Sequence, residues 1–355
     1  MTGRSEPNPV GTSEPRILRL DQEAVPAWDR FVEHCAEATF FHRAGWKQVI
    51  EQSFAHSCHY LYAERAGRIE GVLPLVHVNS RLFGNALISN AFCVCGGPAA
   101  TTPAARLALD SAAVELAGAL GVDHLEYRLR APLHDDWSRE AELYVGFRKR
   151  LDPDPEANLL AIPRKQRAEV RRAMGLGLAG VIDPDVDRCY GIYAESLRNL
   201  GTPVFAKRYF ESLKEVFAEE CEILTIVHQG RAVSSVMSFT FRDQVLPYYG
   251  GGLAAARGLG ANHFMYWEVM RRACERGLRS FDFGRSKRNT GAYDFKRFFG
   301  FTPEPLYHEY KLLGRSDPPR VNPLNPKYRR LIALWRRLPL AVANRIGPPI
   351  ARQLG

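Results

Sequence analysis

The chain has 355 residues, of which 46% are hydrophobic and 25% are charged, and it carries a formal net charge of +9. These proportions are ordinary for a soluble globular protein, and the length predicts two domains rather than one. No apolar run approaches the roughly 18 residues that a membrane span requires. The positive charge indicates a polyanionic partner, which can be a phosphate-bearing cofactor, RNA, an acidic glycan or anionic lipid.

The seven cysteines include no C-x-x-C pair, which favours buried or free thiols over a disulfide framework. Cys93 and Cys95 form a C-x-C without nearby histidines, so we expect core packing there and no metal site. No early segment has the order of a signal peptide. Cytoplasmic residence is therefore the expectation.

The first half of the chain predicts an alternation of helices and strands. We expect a disordered segment at 1–15, helices within 26–53 and 102–121, and strands at 59–64, 71–78, 86–95 and 122–130. His42 and Trp46 lie four residues apart on the first helical segment and would share one side. They are candidates to line a substrate groove between the domains, although a buried histidine beside a buried indole explains them equally simply.

The second half repeats this order. Strands are predicted at 222–228, 232–241 and 245–250, a helix at 261–276 and a strand at 279–284. Placing Gly121 on Gly277 also pairs Glu126 with Asp282 on corresponding strands. A constant offset between strand end, helix, glycine and acid-bearing strand indicates two copies of one α/β unit.

The turn between strand and helix at 257–262 is a candidate phosphate site. Glycines at such a junction allow backbone N–H groups to approach a ligand, and the helix N-terminus attracts negative charge. We expect a cofactor pyrophosphate at Arg257, Gly258, Gly260, Ala261 and Asn262. A basic helix at 164–172 would supply further cations for phosphates, or would simply be solvated.

The stretch 279–301 combines a strand, a glycine turn, a basic loop and an aromatic helix. The alternation of Phe281 and Phe283 turns Asp282 to the opposite face, so Asp282 is a candidate base or substrate-orienting group. A structural carboxylate paired with Arg285 or Lys287 is the alternative. Further candidates for catalysis are Tyr293 and Lys296. Candidates for substrate binding are Arg285, Lys287 and Tyr249, and Tyr249 lies at a predicted strand end beside the cleft.

The segments FDFGRSK, GAYDFKRFFGF and PEPLYHEYKL, together with FFHRAGW at 40–46, resemble the FemAB-like tandem GNAT N-acyltransferases associated with exosortase (PEP-CTERM) systems, whose acetyltransferase domain is BioF2-like. The resemblance implies an α/β (α+β) fold of two tandem GNAT-like domains, each a mixed, largely antiparallel sheet flanked by helices. The expected division is a disordered N-terminus at 1–15, an N-terminal domain at 16–150, a linker at 151–158, a C-terminal acyltransferase domain at 159–314 and a basic amphipathic tail at 315–355.

The resemblance also implies acyl transfer, from acetyl-CoA or another acyl-CoA, to an amine of a glycan or peptidoglycan-type precursor of the cell envelope or an exopolysaccharide. Aminoacyl-tRNA is the alternative donor, as in Fem-type enzymes, and only then is tRNA a partner. A catalytically silent scaffold is the alternative from another class. Residue 262 of the turn is Asn where the family pattern has Gly or Ala.

The C-terminal segment 328–350 alternates arginines with leucine, isoleucine and tryptophan and is interrupted by Pro339. This composition is typical of an interfacial amphipathic helix that contacts an anionic membrane. Such a contact would place the protein peripherally at the inner face of the cytoplasmic membrane. Packing against the body of the protein or against a partner is equally compatible with the pattern.

Overall fold

The computed structural model describes residues 14–80, 84–319, 329–353 and 355. It contains two mixed sheets with helices on their faces. The strands are β1 (Arg16–Arg19), β2 (Ser57–Arg65), β3 (Arg68–Ser80), β4 (Gly84–Ser89), β5 (Ala99–Ala100), β6 (His124–Leu129), β7 (Ser138–Glu140), β8 (Tyr144–Arg150), β9 (Ala179–Ile182), β10 (Cys221–His228), β11 (Arg231–Phe241), β12 (Gln244–Gly252), β13 (Ser280–Lys287), β14 (Pro303–Pro305) and β15 (Tyr307–Leu312).

The helices vary from one and a half to nearly five turns. They are α1 (Val25–His34), α2 (Gly45–Phe54), α3 (Pro103–Ala119), α4 (Pro155–Ala161), α5 (Arg164–Gly175), α6 (Asp187–Leu200), α7 (Lys207–Val216), α8 (Ala254–Leu259), α9 (Ala261–Glu275), α10 (Gly291–Phe298), α11 (Arg329–Trp335) and α12 (Leu340–Ala351). The expected disorder at 1–15 falls mainly on residues 1–13, which lie outside the described residues, as do 320–328 of the tail.

The two sheets have the same topology. The first has the order β1-β2-β3-β4-β6-β15-β7, with β5 paired to β3, and the second has the order β9-β10-β11-β12-β13-β8-β14. Within the described ladders, only β4 with β6 and β12 with β13 run parallel. β6 and β13 therefore occupy equivalent places, which confirms the two tandem GNAT-like units expected from the sequence.

Each sheet contains one strand from the other half of the chain. β8 pairs with β13 in the second sheet, whereas β15 pairs with β6 in the first. Sheet membership thus differs from the division at 16–150 and 159–314, since β8 lies in the first of these ranges and β15 in the second. Local sequence patterns report a strand but not its distant partner.

Several elements differ from their predicted bounds. The strand expected at 86–95 ends at Ser89, and the helical segment 26–53 divides into α1 and α2 with a 3₁₀ turn at Phe40–His42. The strand expected to end at Gly284 continues to Lys287. Gly284 adopts φ +69, a conformation that glycine tolerates best, and the strand pairs on past a bulge instead of ending there.

An aromatic core joins the two units. The ring of Phe40, from the first unit, lies 4.8 Å from the rings of both Phe217 and Phe239, which belong to the second. Trp46 packs 5.4 Å from Phe217. Burial of such large side chains contributes the main free energy of association, so the units form one continuous core at this junction.

The described part of the tail packs on the body of the protein. α12 buries Ala343, Gly347 and Ala351, and it begins after Pro339. A Cβ built on Gly347 would lie 3.1 Å from the main-chain nitrogen of Val204, so a larger residue would crowd this close approach. Farther on, His56 Nε2 lies 2.7 Å from the carbonyl oxygen of Arg352.

Candidate active site at the junction of the two units

The centre of the site is the bulge in β13. Asp282 lies opposite Arg148 of β8, and regular pairing resumes only at Arg285 opposite Gly146. The Gly284 N–H donates a 2.8 Å hydrogen bond to Asp282 Oδ1, which holds the bulge in place. Bulges reorient side chains next to them, and this one brings Asp282 close to charged groups from both units.

Asp282 forms an ion pair across the junction. Its Oδ2 accepts a 2.9 Å hydrogen bond from Arg130, which follows β6 of the first unit. The Asp282 side chain is 7% exposed and that of Arg130 is 29% exposed. The sequence predicted the orientation of Asp282 but proposed Arg285 or Lys287 as its partner. Arg130 was missed because no local pattern connects positions so far apart in the chain.

Lys296 reaches the bulge from α10. Its Nζ lies 3.1 Å from the carbonyl oxygen of Arg285 and 3.4 Å from that of Gly284. It also lies over two aromatic faces, 5.3 Å from the centre of the Phe283 ring and 5.7 Å from that of Phe147. The side chain is therefore half-buried, and its N–H groups face main-chain acceptors.

This environment changes the chemistry of Lys296. Burial lowers the pKa of its ammonium group to about 7; the nearby Arg285 lowers it further, whereas Asp282 opposes the shift. A neutral amine has two N–H bonds and one lone pair. When two N–H bonds point to the carbonyl oxygens of Gly284 and Arg285, the lone pair remains to accept a proton.

Two more cations lie on the face of β13 that carries Asp282. The guanidinium carbon of Arg285 is 4.6 Å from the centre of the Tyr144 ring, and Lys287 Nζ is 5.4 Å from it. Burial, followed by repulsion from Arg285, lowers the pKa of Lys287 to about 8. Tyr144 in turn stacks on His308 of β15 at 4.7 Å. Arg285 and Lys287, which the sequence predicted to bind substrate, therefore lie within the candidate site.

Tyr293 lies one turn before Lys296 on α10. The helix begins as expected, since Thr290 Oγ1 accepts the Tyr293 N–H at 3.3 Å as an N-cap. The Tyr293 ring meets that of Phe147 edge-on at 5.6 Å, on the same ring that Lys296 covers. The structure thus brings Tyr293, Lys296 and Asp282 to the same bulge.

His42 and Trp46 are buried within the aromatic core that joins the two units. The Thr39 N–H donates to His42 Nδ1 at 3.0 Å, so His42 Nε2 carries the proton that it donates to the Gly97 carbonyl at 2.8 Å. Burial lowers the pKa of His42 to about 4, which keeps the ring neutral. Trp46 Nε1 donates to the Phe40 carbonyl. The ring nitrogens of His42 and the indole N–H of Trp46 thus already have hydrogen-bond partners inside the protein.

Tyr249 is also buried. Its hydroxyl shares a 2.7 Å hydrogen bond with that of Tyr209, within a group of rings from α6 and α7. It is 7% exposed. The structure therefore does not bring Tyr249 together with Lys296 and Asp282.

α5 packs against part of the candidate pyrophosphate turn. Arg257 and Gly258 lie in the short helix α8, and Arg172 of α5 donates to the Gly258 carbonyl at 2.8 Å. A Cβ on Gly260 would lie 3.1 Å from the main-chain oxygen of Glu169 and 3.4 Å from its carboxylate. Arg172 Nη2 lies 3.3 Å from the same Cβ position and pairs with the Glu169 carboxylate, so the charge beside the N-terminus of α9 is balanced.

The next residues of the turn also face inward. Ala261 is buried, and Asn262 directs its Oδ1 to within 2.5 Å of where a Cβ on Gly252 would lie. This oxygen is buried without a hydrogen-bond partner among the described residues. Within the turn, Gly260 and Ala261 are buried, whereas Arg257 and Gly258 are exposed. A pyrophosphate site at this turn stays a prediction.

β12 and β13 separate early. Their parallel ladder consists of only two pairs, Gln244 with Ser280 and Val245 with Phe281, although both strands continue for six or more residues. In the first unit the equivalent ladder has four pairs, from Ala86 with His124 to Ser89 with Tyr127. Strand ends that separate in this way leave main-chain groups available to a ligand.

Two further observations concern the described residues as a whole. They contain no group of three or more His, Cys, Asp or Glu side chains placed to hold a metal ion. None of their helices combines the length and apolarity needed to cross a bilayer.

One family model matches part of the second unit. Residues 164–297 match the family model described as Acetyltransferase (GNAT) domain. This range includes the predicted turn and ends one residue after Lys296. No curated protein matches the sequence. This part of the second unit is thus similar to GNAT acetyltransferase domains.

Solved structures extend the similarity to both units. FemX superposes with a TM-score of 0.64 at 13% identity over 89% of this chain and 100% of its own. The C-terminal domain of a putative lysylphosphatidylglycerol synthetase from Agrobacterium fabrum gives 0.55 at 13% identity over 81% and 91%. A tandem GNAT protein from the clavulanic acid biosynthesis pathway gives 0.54 at 16% identity over 86% and 100%. The fold is therefore that of a tandem, FemAB-like GNAT protein.

Proposed function

We propose that the chain is an N-acyltransferase in which Lys296 acts as the general base. The observation that carries this proposal is the position of Lys296, whose pKa is lowered to about 7 and whose N–H groups face two main-chain carbonyls beside Asp282. An amine attacks an acyl carbonyl only when it is neutral, so a nearby acceptor for its proton accelerates the reaction. A base with a pKa near the working pH is the most effective one.

The proposed step needs no covalent enzyme intermediate. The acceptor nitrogen forms a bond to the acyl carbon while Lys296 takes a proton from that nitrogen, and the bond between the acyl carbon and the donor's sulfur or oxygen then breaks. The leaving group takes up a proton, for which the Tyr293 hydroxyl is our candidate. Asp282 orients the acceptor, with Arg130 holding its carboxylate in place. Arg285 and Lys287 bind a negative group on a substrate.

Acyl-CoA is the first donor to test, because residues 164–297 match a GNAT acetyltransferase domain. Aminoacyl-tRNA is the second candidate, and one observation favours it. α5 and Glu169 lie against the turn at Gly258 and Gly260, where a CoA pyrophosphate was expected. A donor that does not need access to the buried Gly260 is compatible with this packing of α5.

The acceptor we propose is an amine on a glycan or peptidoglycan-type precursor of the cell envelope or of an exopolysaccharide. The support is the sequence resemblance to FemAB-like proteins associated with exosortase systems. Leu331 and Leu334 of α11 are each 61% exposed next to Arg330 and Arg336, so this helix is our candidate for a peripheral contact with anionic membrane. Such a contact would hold the otherwise cytoplasmic protein close to a lipid-linked acceptor.

Calorimetric titration and a transfer assay test the donor. If acetyl-CoA is the donor, it binds saturably, binding weakens in Arg257→Ala, and thiol release depends on an added amine. A matched control is Arg231→Ala, which removes an exposed arginine from the start of β11. If acetyl-CoA does not bind, the same assay with aminoacyl-tRNA decides between the second donor and a scaffold. Absence of transfer from both donors would refute the enzyme proposal.

A further inference from the structure

A cavity opens beside the first residues of β13, at the end of the strand opposite Lys287. It has a volume of about 490 Å³ and lies where β8 ends and β12 and β13 begin. Cavities of this size accommodate small organic ligands, whereas a single inorganic ion would leave most of the space unfilled. Its wall includes the residues Arg148, Lys149, Arg150, Gln244, Arg279 and Ser280.

The charges around this cavity are unbalanced. Four cations line it, against the two carboxylates of Asp243 and Glu304. Arg148 already pairs with Glu304, since its Nε donates to Glu304 Oε2 at 2.9 Å. Arg150 and Arg279 are exposed, and neither forms an ion pair with any residue that the structure describes. Two guanidinium groups therefore remain available to an anion.

The main chain holds these arginines at fixed positions. The Leu151 N–H donates to the Arg279 carbonyl at 2.8 Å. This hydrogen bond joins the backbone of Arg279 to the residue that follows Arg150. Arg150 lies opposite Ser280 in the ladder between β8 and β13. The Ser280 hydroxyl and the Gln244 amide, 3.5 Å apart, add neutral donors to the same wall.

The geometry points to a binding site for a compact phosphate-bearing molecule, of about the size of a nucleotide or a sugar phosphate. Guanidinium groups match phosphate oxygens with paired hydrogen bonds, and hydroxyl and amide donors complete such sites. Asp243 and Glu304 at the wall would repel the continuing phosphates of a nucleic acid strand. A compact anion is therefore a better fit than RNA.

This cavity adjoins the candidate active site without being part of it. Arg148 and Glu304 also line a narrow slot that contains Arg130, Asp282 and Gly284. An anion that draws Arg148 away from Glu304 alters the charge next to Asp282. The site would thus hold the phosphate end of a substrate, or an effector, close to the bulge in β13. This inference does not depend on the identity of the acyl donor.

The experiment is a calorimetric titration of the full chain with sodium pyrophosphate and, separately, with ADP as a probe of nucleotide size, at constant ionic strength. We expect saturable binding of both, weakened at least about tenfold by Arg150→Gln and by Arg279→Gln. Arg68→Gln is the matched control, because Arg68 is an exposed arginine at the start of β3 in the first sheet. It should leave both affinities within about twofold.

Three results would overturn the proposal. The first is a lack of saturable binding by either probe at millimolar concentration. The second is an equal loss of affinity in Arg68→Gln, which would reduce the effect to overall charge. The third is tighter binding of a single-stranded RNA oligonucleotide than of ADP, lost in the same two variants. Because the three arginines are exposed, thermal unfolding should show that every variant folds like the wild type.

Discussion

Arg130 and Asp282, 152 residues apart in the chain, form a 2.9 Å ion pair that joins the two units at the bulge in β13. The buried member of the pair is the carboxylate, which also accepts the Gly284 N–H. One side chain thus fixes the shape of a strand and its contact with the other unit. The stability of the junction and the geometry of the candidate site are therefore coupled.

Removal of Arg130 should destabilise the protein more than removal of both partners. Arg130→Met leaves the Asp282 carboxylate buried without its cation, and we expect a loss of about 3 kcal/mol in the free energy of unfolding. Arg130→Met combined with Asp282→Asn should lose less than Arg130→Met alone, and therefore less than the sum of the two single changes. Urea unfolding of the four proteins in a double-mutant cycle measures the coupling. Strict additivity would show that the pair contributes no coupling.

Replacement of Lys296 by arginine should abolish the pH dependence of transfer. With the pKa of Lys296 at about 7, kcat/KM of the wild type should rise with pH and level off above that value. An arginine keeps the positive charge but does not release its proton, so the rate should fall by roughly 10²–10⁴-fold. Rates measured from pH 5.5 to 9 provide the check. A Lys296→Arg enzyme with an unchanged profile would exclude Lys296 as the base.

Lys296 should also lower stability at neutral pH. The unfolded chain has a lysine pKa near 10.4, well above the value of about 7 in the folded state, so between these values the unfolded state binds more protons. The free energy of unfolding of the wild type should rise with pH over this window. The full destabilisation caused by Lys296 is present below pH 7. Lys296→Met should therefore raise the free energy of unfolding by about 1–2 kcal/mol at pH 6, and by less at pH 9.5.

The matched control for this stability test is Lys165→Met, which changes an exposed lysine at the start of α5. It should remain within about 0.5 kcal/mol of the wild type at both values of pH. Equal stabilisation by the two substitutions would attribute the effect to reduced net charge rather than to the site of Lys296.

His134 should make the first unit more stable in mild acid. Burial lowers its pKa, but hydrogen bonds with Asp110 and Glu309 outweigh burial and raise the pKa overall. The contribution of His134 is thus complete below the unfolded pKa of about 6.5 and is lost as the pH rises through the folded value. His134→Phe, which preserves the 3.9 Å stacking on Trp137, should remove roughly 1 kcal/mol at pH 5.5 and less at pH 8.5. Denaturant unfolding at the two values of pH measures this difference.

Local patterns predicted the elements that carry the site but not their assembly. The alternation around Phe281 and the capping residue Thr290 indicated the strand and helix that hold Asp282 and Lys296, and the offset of Gly121 with Gly277 indicated the duplication. The role of Arg130 and the exchange of β8 and β15 depend on contacts between distant residues. A single sequence carries no periodic signal for such contacts.

The turn at 257–262 shows a different limit. Its glycines were read as a junction between a strand and a helix, but the short helix α8 precedes Gly260, which adopts φ +67 between α8 and α9. What fills the space beside that junction is α5, whose basic sequence suggested solvent or phosphate rather than packing. Composition indicates the charge of a helix but not which neighbour it covers.

The exchange of β8 and β15 has a consequence for synthesis on the ribosome. One hydrogen-bonding edge of β6 remains unpaired until Tyr307–Leu312 has been translated. The first sheet, most of which is synthesised first, is therefore completed last. An unpaired edge recruits strands from other chains. We therefore expect nascent or truncated chains that end before Tyr307 to aggregate, and the cell to depend on chaperones until the last strand of the first sheet emerges.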